Sequence, residues 1–585
     1  MIRITEALQA IDEHVSRTTF GRVFRFDGSG HDKEIKDSYF FTEIRAGIIT
    51  FFTMAYIIAV NSSILTESGA TCVCVPTHGD IFCDQNALYN SCLIGMIQKE
   101  KLSSYANQHL KYIEIKRDLI TATAAVAGIS SILFGLLTNL PIALAPGMGL
   151  NAYFTYQVVG YHGSGNVSYR LALTAIFVEG FLFMALSLLG LRQWLVKIIP
   201  PSIKVASGVG IGLFLTEIGM SYSGIGLITG SRVTPTDLAG CLPEFIDANG
   251  TCDGHKMTSP TLWIGIICGG FLTAFLMSYK IKSAMIIGIV IVSIISWPRD
   301  TSFTYFPRTP EGNVRFEYFK QVIAFHPIKH TLGVQDWNVS VVGGHFALAL
   351  FTFLYVDIID ATATLYSMAR FSGVVDSKSG DFSRSTLAYC TDALAITIGS
   401  IFGCSPVTAF IESGAGILLG GRTGLTSITT GVCFLISVFL APIFASIPPW
   451  ATGCTLILVG CMMMVQITYV NWAYIGDALP AFITIVAMPF TYSVAYGLIA
   501  GLLTYTVLNS MIYLVQRITG GRIEPSNINV SECWVSKSGP HPPWLIRVMC
   551  HKFWGRTKLD DDMISLSART EASDKELVEV INPRR

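Results

Sequence analysis

Apolar stretches long enough to cross a bilayer recur along most of this chain, and nothing else in the sequence constrains its fold as tightly. About 20 residues suffice to span the hydrocarbon core. Such stretches occupy residues 46–65, 119–139, 171–191, 205–222, 261–279, 283–297, 346–369, 386–403, 423–445, 450–467 and 478–516, the last long enough for two spans broken around Pro489 to Ser493. Only 14% of the 585 residues are charged, whereas soluble proteins carry about 25%. A soluble protein of this size needs a charged surface that this chain cannot supply. Zero formal net charge and 51% hydrophobic residues also exclude a disordered chain, a disulfide mini-domain and a nucleic-acid binder with a basic field. The class that remains is an all-α polytopic membrane protein. Two further segments, 145–160 and 404–420, are too short and too rich in Gly and Pro for simple spans. Counting both gives 14 membrane elements, so the two termini share a side.

Three cues assign that side. The short connections carrying Arg192, Lys197 and Lys204, then Lys280 and Lys282, then Arg422, contain no acidic residue. The positive-inside rule puts them in the cytosol. The glycosylation sequons starting at Asn166, Asn249 and Asn338 fall on the opposite side. So do Cys72, Cys74, Cys83 and Cys92 in one loop and Cys241 and Cys252 in another. Six of 14 cysteines in extracytoplasmic loops point to disulfides in an oxidising compartment, with the pairing open. A zinc site is the competing reading, but no His stands beside them at finger-like spacing. Both tails are therefore expected in the cytosol, in a eukaryotic secretory-route membrane.

The soluble parts are small. Arg3, Glu6, Asp12 and Glu13 interrupt any signal-peptide core in the first 40 residues. Ile4, Leu8, Ile11 and Val15 form one helical stripe, read as packing on the protein's own underside or lying on the cytosolic membrane face. The tail after Arg517 is polar, with an Asp560-Asp561-Asp562 run, and reads as a solvated trafficking or turnover segment. No GxxxxGK[ST] string occurs, which argues against an ATP-driven pump.

The chain carries an internal echo. Phe52-Thr53-Met54-Ala55-Tyr56-Ile57-Ile58-Ala59-Val60-Asn61 in the first span resembles Phe351-Thr352-Phe353-Leu354-Tyr355-Val356-Asp357-Ile358-Ile359-Asp360 in the seventh long stretch. Two elements later in each half come the broken segments, Leu144-Ala145-Pro146-Gly147-Met148-Gly149-Leu150-Asn151 and Cys404-Ser405-Pro406-Val407-Thr408-Ala409-Phe410-Ile411-Glu412. Halves of seven elements, an odd number, insert with opposite topology. Paired Gly/Pro-interrupted segments in corresponding positions mark a transporter's binding site. A chain broken at mid-membrane leaves N–H and C=O groups that only protein or a water-filled cavity satisfies. Pro146 and Pro406 are expected to start the half-helices, whose facing N-termini offer donors and partial positive charge to a small ligand.

Acidic residues inside spans need a reason, since an Asp at a span's centre costs about 2.5–3.5 kcal/mol on the insertion scale. Asp357 and Asp360 are three apart on one helical face, which Thr364 extends. Glu412 is expected about two turns into the second broken helix, after Ser405 and Thr408, with Asn151 in the comparable place in the first. Carboxylates accept from ring N–H or exocyclic amino groups, an amide fixes orientation, and Phe154, Tyr355 and Phe410 are candidates for stacking. The constellation suits a cation or a neutral, donor-rich heterocycle. A carboxyl buried from water retains its proton more readily, so one of these acids is also a candidate proton carrier. Asp360 equally suits a structural hydrogen bond. Glu179 is read as structural, and Glu217 is open.

At these residues a resemblance becomes specific. Thr42-Glu43-Ile44-Arg45-Ala46-Gly47 with Phe52-Thr53-Met54-Ala55-Tyr56-Ile57, Ala145-Pro146-Gly147-Met148-Gly149-Leu150-Asn151-Ala152, Ser405-Pro406-Val407-Thr408 with Ile411-Glu412-Ser413, Asp357-Ile358-Ile359-Asp360 and Gly420-Gly421-Arg422-Thr423-Gly424 resemble the AzgA-type purine transporters, fungal members above all. The likeness covers roughly residues 40 to 515. It implies proton-coupled plasma-membrane import of hypoxanthine, adenine and guanine on the architecture of the nucleobase–ascorbate transporters. That architecture has two inverted seven-element repeats divided into core and gate domains, elevator movement of the core, and homodimers through the gates. By motif, Asn151, Asp357, Glu412, Thr408 and Gly149 fall to the purine, and Asp360 and Ser405 to proton coupling or support. The implied divisions are a cytosolic segment (1–41), core (42–195), gate (196–297), extracytoplasmic loop (298–344), core (345–445), gate (446–516) and cytosolic tail (517–585). No cofactor or metal is implied beyond the coupling H+, and the partners are purine, lipid and a second copy.

Other classes fit less well. A membrane enzyme needs clustered His ligands or a nucleophile–base pair, yet the 11 His are scattered and no HExxH or GxSxG string occurs. A channel does not explain paired broken helices in an inverted repeat. Three intramembrane carboxyls disfavour an anion carrier. A xanthine/uric acid transporter remains open on residue chemistry.

Overall fold

The computed structural model describes residues 11–519 apart from 33, 71–101, 161–162, 192–199, 222–223, 230–235, 243–244, 246–251, 253, 282, 339–342, 375–381 and 383. Helices α1 (Phe40–Met54) and α2 (Tyr56–Glu67) make one span, stepped at Ala55, and α3 (Leu102–Thr138) returns. Strand β1 (Leu144–Pro146) then leads into the short helix α4 (Met148–Ala152), which continues as a π-helical turn over Tyr153–Val158. Spans α5 (Tyr169–Leu189), α6 (Pro201–Met220), α7 (Pro260–Ser278) and α8 (Ala284–Ser296) complete the first half. The connecting segment carries α9 (Pro310–Phe319).

The second half repeats that order. It runs through α10 (Gly343–Phe371), α11 (Ser385–Ile401), β2 (Val407–Ala409), a 3-10 turn at Ile411–Ser413 and α12 (Gly414–Ile417). Then follow α13 (Gly424–Ser437), α14 (Pro449–Met464), α15 (Ile475–Phe490) and α16 (Val494–Thr519). Nine helices among the described residues are long and apolar enough to cross a membrane, with α8 and α15 as shorter apolar helices. Adding α11 and the two strand–helix units gives the fourteen elements expected, in two sevens.

Local chemistry sets the helix ends. Pro201, Pro260 and Pro449 open their helices, where a missing N–H costs nothing. Ser168 caps α5 by accepting from Leu171 N, and Gly190 ends it in the left-handed region that glycine adopts freely.

Packing falls into two sets. In one, α13 lies on α3 and α1, and α5 lies on α11 and α10. In the other, α6 lies on α14 and α15, and α15 lies on α16. Small residues allow the close crossings: a Cβ at Gly180 would stand 2.2 Å from Thr397 Oγ1, and one at Gly460 2.3 Å from Gly212 O. The first set is also locked at one end. Fully buried Glu43 accepts from the backbone N–H of Arg422 (2.9 Å) and Thr423 (3.1 Å) and from the Thr426 hydroxyl, all at the start of α13. Two of the family-like strings therefore meet in one contact.

The half-helix starts differ from expectation. Pro146 lies in β1 and Pro406 immediately before β2, so both prolines sit in extended arms. The residue before a proline avoids the helical region, which draws Ala145 and Ser405 into extended backbone. The arms then pair antiparallel, with Ala145 opposite Thr408. Gly147 N donates to Pro406 O (2.9 Å) and Phe410 N to Ala143 O (3.1 Å). Ser131 Oγ accepts from Leu144 N, and Ser413 Oγ from Ala143 N, each at 3.0 Å. Backbone groups freed at mid-membrane thus find protein partners, as a lipid environment demands. Glu412 consequently stands in the first turn of its half-helix, not two turns in.

On the extracytoplasmic side by the sequence reading, Cys241 and Cys252 form a disulfide, and Asn166 and Asn338 are exposed. At the other end, Phe24 and Phe26 pack with Leu425, so this part of the N-terminal segment folds against the protein itself. Cys72, Cys74, Cys83, Cys92, Arg192, Lys197, Asn249, Lys282, Ile4, Leu8 and the tail from 520 lie outside the described residues.

Candidate functional site

The crossing of β1 and β2 brings residues from both halves together. Asn151, on α4, is fully buried and donates from Nδ2 to Asn61 O (3.2 Å), while its Oδ1 has no partner among the described residues. Ser405 Oγ donates to Asn61 Oδ1 (3.2 Å), and Asn61 Nδ2 donates to Thr123 Oγ1 (2.9 Å). Asn61 is therefore a hub joining both broken segments to α3. Thr408, in β2, is 3% exposed and its hydroxyl is likewise unpartnered.

Glu412 accepts at Oε1 from the Tyr56 hydroxyl (2.7 Å). Asp357 is fully buried beside another buried carboxyl, Glu179 of α5, and none of the four oxygens has a donor partner among the described residues. Asp360 is accessible to a cavity, and Thr364 Oγ1 donates to its Oδ1 at a long 3.5 Å. That cavity, of about 390 Å³, runs from Gly147–Leu150 and the Asp360 face of α10 to Lys204, Gly208 and Ile211 of α6 and Gln466 beyond α14. It therefore lies where the two packing sets meet, and Gly149 is on its wall.

The aromatic candidates separate. Phe154 is wholly buried, edge-on to Tyr169 with ring centroids 5.6 Å apart and close to Phe353, so its ring is not open to the cavity. Phe410 is 7% exposed, and Tyr355 is half-buried with a hydroxyl that has no partner among the described residues. Sequence reasoning missed Tyr56 and Asn61 and took Glu179 as structural. A signal existed for the first two, since the echo aligns Tyr56 with Tyr355 and Asn61 with Asp360. Lys204, counted only as an inside marker, is 4% exposed and borders the cavity.

Chemically, the crossing presents the Glu412 carboxylate, the Asn151 amide oxygen and the Thr408 hydroxyl, the last two without partners among the described residues. Fold and site together define a multi-pass membrane transporter. Residues 105–499 match the sequence profile of the Permease family, that of the xanthine and uracil permeases, and the chain belongs to this family. The Aspergillus versicolor protein named efflux pump notK' is 55% identical, covering 94% of this chain and 93% of its own. A Schizosaccharomyces pombe protein with the provisional name xanthine/uracil permease is 51% identical over 94% of this chain and 86% of its own. The guanine/hypoxanthine permease PbuO of Bacillus subtilis is 32% identical over 80% and 91%. Among solved structures, the murine anion transporter Slc26a9 in its inward-facing state aligns over 86% of this chain and 75% of its own, with a TM-score of 0.49 and 13% identity. These relatives are named as transport proteins, not enzymes.

Proposed function

We propose that this protein carries hypoxanthine, adenine and guanine into the cell across the plasma membrane, each with a proton, with both termini in the cytosol. The observation that carries the reading is the meeting of Asn151 Oδ1 and the Thr408 hydroxyl, both without a partner among the described residues, with Glu412 at the paired half-helix starts, beside a cavity lined by Asp360. A purine presents ring N–H donors and ring-nitrogen acceptors on one rigid plane. Glu412 and Asp357 accept its N–H groups, while backbone donors hold the ring nitrogens and Asn151 fixes orientation. The guanine/hypoxanthine name of the Bacillus relative supports this substrate class.

In this reading the set containing α5, α10 and α13 slides as an elevator against the set containing α6, α14 and α16, which forms the homodimer contact. The cavity between them is the route on one side. Substrate binding biases the two positions by neutralising the polar site. No cofactor takes part, and H+ is the coupling ion.

The efflux-pump name of the Aspergillus relative favours a second reading, export of a heterocycle through the same site. One experiment separates the two. Tritiated hypoxanthine uptake, and its loss from preloaded cells, is measured at acidic and neutral external pH in cells lacking their own purine transporters. Unlabelled adenine, guanine, xanthine and uracil serve as competitors, with Glu412→Ala alongside. Import predicts saturable uptake that falls toward neutral pH, is blocked by adenine and guanine, and is lost in the variant. Normal surface expression without purine uptake, or pH-driven loss of label only, refutes it.

A further inference from the structure

Glu179 lies at the middle of α5, with Asp357 reaching it from α10. Both are fully buried, and no N–H or O–H donor among the described residues serves any of their four carboxyl oxygens. From α11, buried Asp392 adds a third carboxyl near Glu179. From the π-helical turn after α4 comes Tyr153, and Asp360 lies one turn along from Asp357. No Lys, Arg or His occurs in residues 171–189, 346–369 or 385–401, the membrane stretches of the three packed helices.

Two carboxylates only accept hydrogen bonds. Brought face to face inside a membrane without a counter-charge, they repel and stay unsatisfied. A single proton removes both penalties, because a carboxyl O–H donates to the opposing carboxylate in a short, charge-assisted bond. We infer that Glu179 holds the coupling proton and donates it as a hydrogen bond to Asp357, leaving the other oxygen of Asp357 to accept a purine N–H. This inference rests on the proton-coupled purine reading and adds the carrier to it.

The assignment falls on Glu179 because the partner that meets the purine N–H must remain an acceptor. On the outer side the proton loads Glu179, Asp357 is oriented, and purine binds. On the inner side the proton leaves, two carboxylates face each other, the acceptor swings away, and purine is released. No bond to carbon changes, and one proton enters and leaves per cycle.

Glu179→Gln tests this, since its amide supplies a fixed N–H donor that does not titrate. With tritiated hypoxanthine, wild-type affinity is expected to weaken about tenfold from acidic to neutral pH, one pH unit of linkage. The variant is expected to bind equally at both values. It should still exchange external for preloaded hypoxanthine but no longer concentrate it on an imposed proton gradient. A purely structural Glu179 would lower surface density or affinity without flattening the pH profile. A variant that keeps wild-type pH dependence and accumulation overturns the inference.

Infrared spectroscopy of the purified protein gives a readout that needs neither the Glu179 variant nor substrate. A protonated-carboxyl C=O stretch that is present at acidic pH, fades toward neutral pH and is shifted by Asp357→Asn supports the shared proton. Its absence overturns the proposal even if Glu179→Gln never reaches the membrane. Wild type that moves no purine but shows the shifted band would place the fault in the substrate reading, and wild type that shows neither would defeat both.

Discussion

Tyr56 of α2 donates its phenolic O–H to Glu412 Oε1 at 2.7 Å, joining residues 356 positions apart in the sequence. Glu412 has one oxygen held by that bond and stands in the first turn of the second half-helix, beside the crossing strands. A carboxylate so fixed presents its remaining lone pairs in one direction. In the proposed binding reading, Tyr56 acts on the ligand through Glu412.

Removing that bond should loosen the acceptor without emptying the site. Tyr56→Phe keeps the ring, which is 2% exposed, and deletes only the donor. Hydrogen bonds to charged groups are worth about 1.5–3 kcal/mol, so the hypoxanthine KM should rise on the order of tenfold or more. Surface expression should hold. Uptake kinetics with a surface-labelling control check this, and an unchanged KM would remove Tyr56 from the positioning machinery.

Gly149 faces the other packing set. A Cβ there would lie 2.4 Å from Ile211 Cγ2 on α6. Isoleucine is stiff at its branched carbon and yields little, so Gly149→Val should jam the contact between the half-helix and α6. Maximal uptake should fall at least about tenfold, and Ile211→Ala in the same chain should restore part of it. Coupling of this kind is what a double-mutant cycle measures. Additive losses in the pair would show that the two residues do not rub together during transport.

What the sequence disclosed, and what it hid, divides by range. Span lengths, the fourteen elements and the breaks at Pro146 and Pro406 are local signals of hydropathy and backbone restriction. Asp357, Asp360 and Glu412 stood out because a charge within an apolar run is costly wherever its partner lies. Partners were not legible. Glu179 meets Asp357 from a helix 178 positions away, and neither string encodes the other. The prolines misled for a physical reason: their missing N–H suits a helix start, yet equally suits an extended arm whose partner strand supplies the remaining bonds. Pairing of β1 with β2 decides between these, and pairing is tertiary. Phe154 failed similarly, since adjacency to Asn151 in sequence says nothing of the Tyr169 and Phe353 rings around it.

Glu43 predicts a loss of stability rather than of chemistry. Its carboxylate serves two backbone N–H groups and a hydroxyl at the N-terminal end of α13, where an anion also meets the positive end of the helix dipole. Glu43→Ala strands those buried donors at a cost on the order of 3 kcal/mol. Thermal unfolding in detergent, followed by loss of the monodisperse peak, should shift to lower temperature. The hypoxanthine KM of the molecules that survive should stay near wild type. A raised KM at unchanged stability would instead assign Glu43 to the transport path.

Residues Ile228–Thr229 pair antiparallel with Asp237–Leu238, on the side that the sequence reading puts outside, and this pair offers a control on where pH acts. Asp237 Oδ2 accepts from Lys256 Nζ and Oδ1 from Leu238 N, both at 2.7 Å. The Lys256 hydrogen bond, aided by the backbone donor, holds this carboxyl below the ordinary aspartate range. A depressed carboxyl contributes stability that is complete above its unfolded value and is lost as pH falls through its folded one. Over mildly acidic to neutral pH Asp237 is thus ionised throughout, and its contribution does not vary. Asp237→Asn should leave the ratio of acidic to neutral uptake unchanged, whereas Glu179→Gln should flatten it. If the hairpin substitution flattened the ratio instead, proton sensing would belong to the extracytoplasmic surface and not to the buried carboxyl pair.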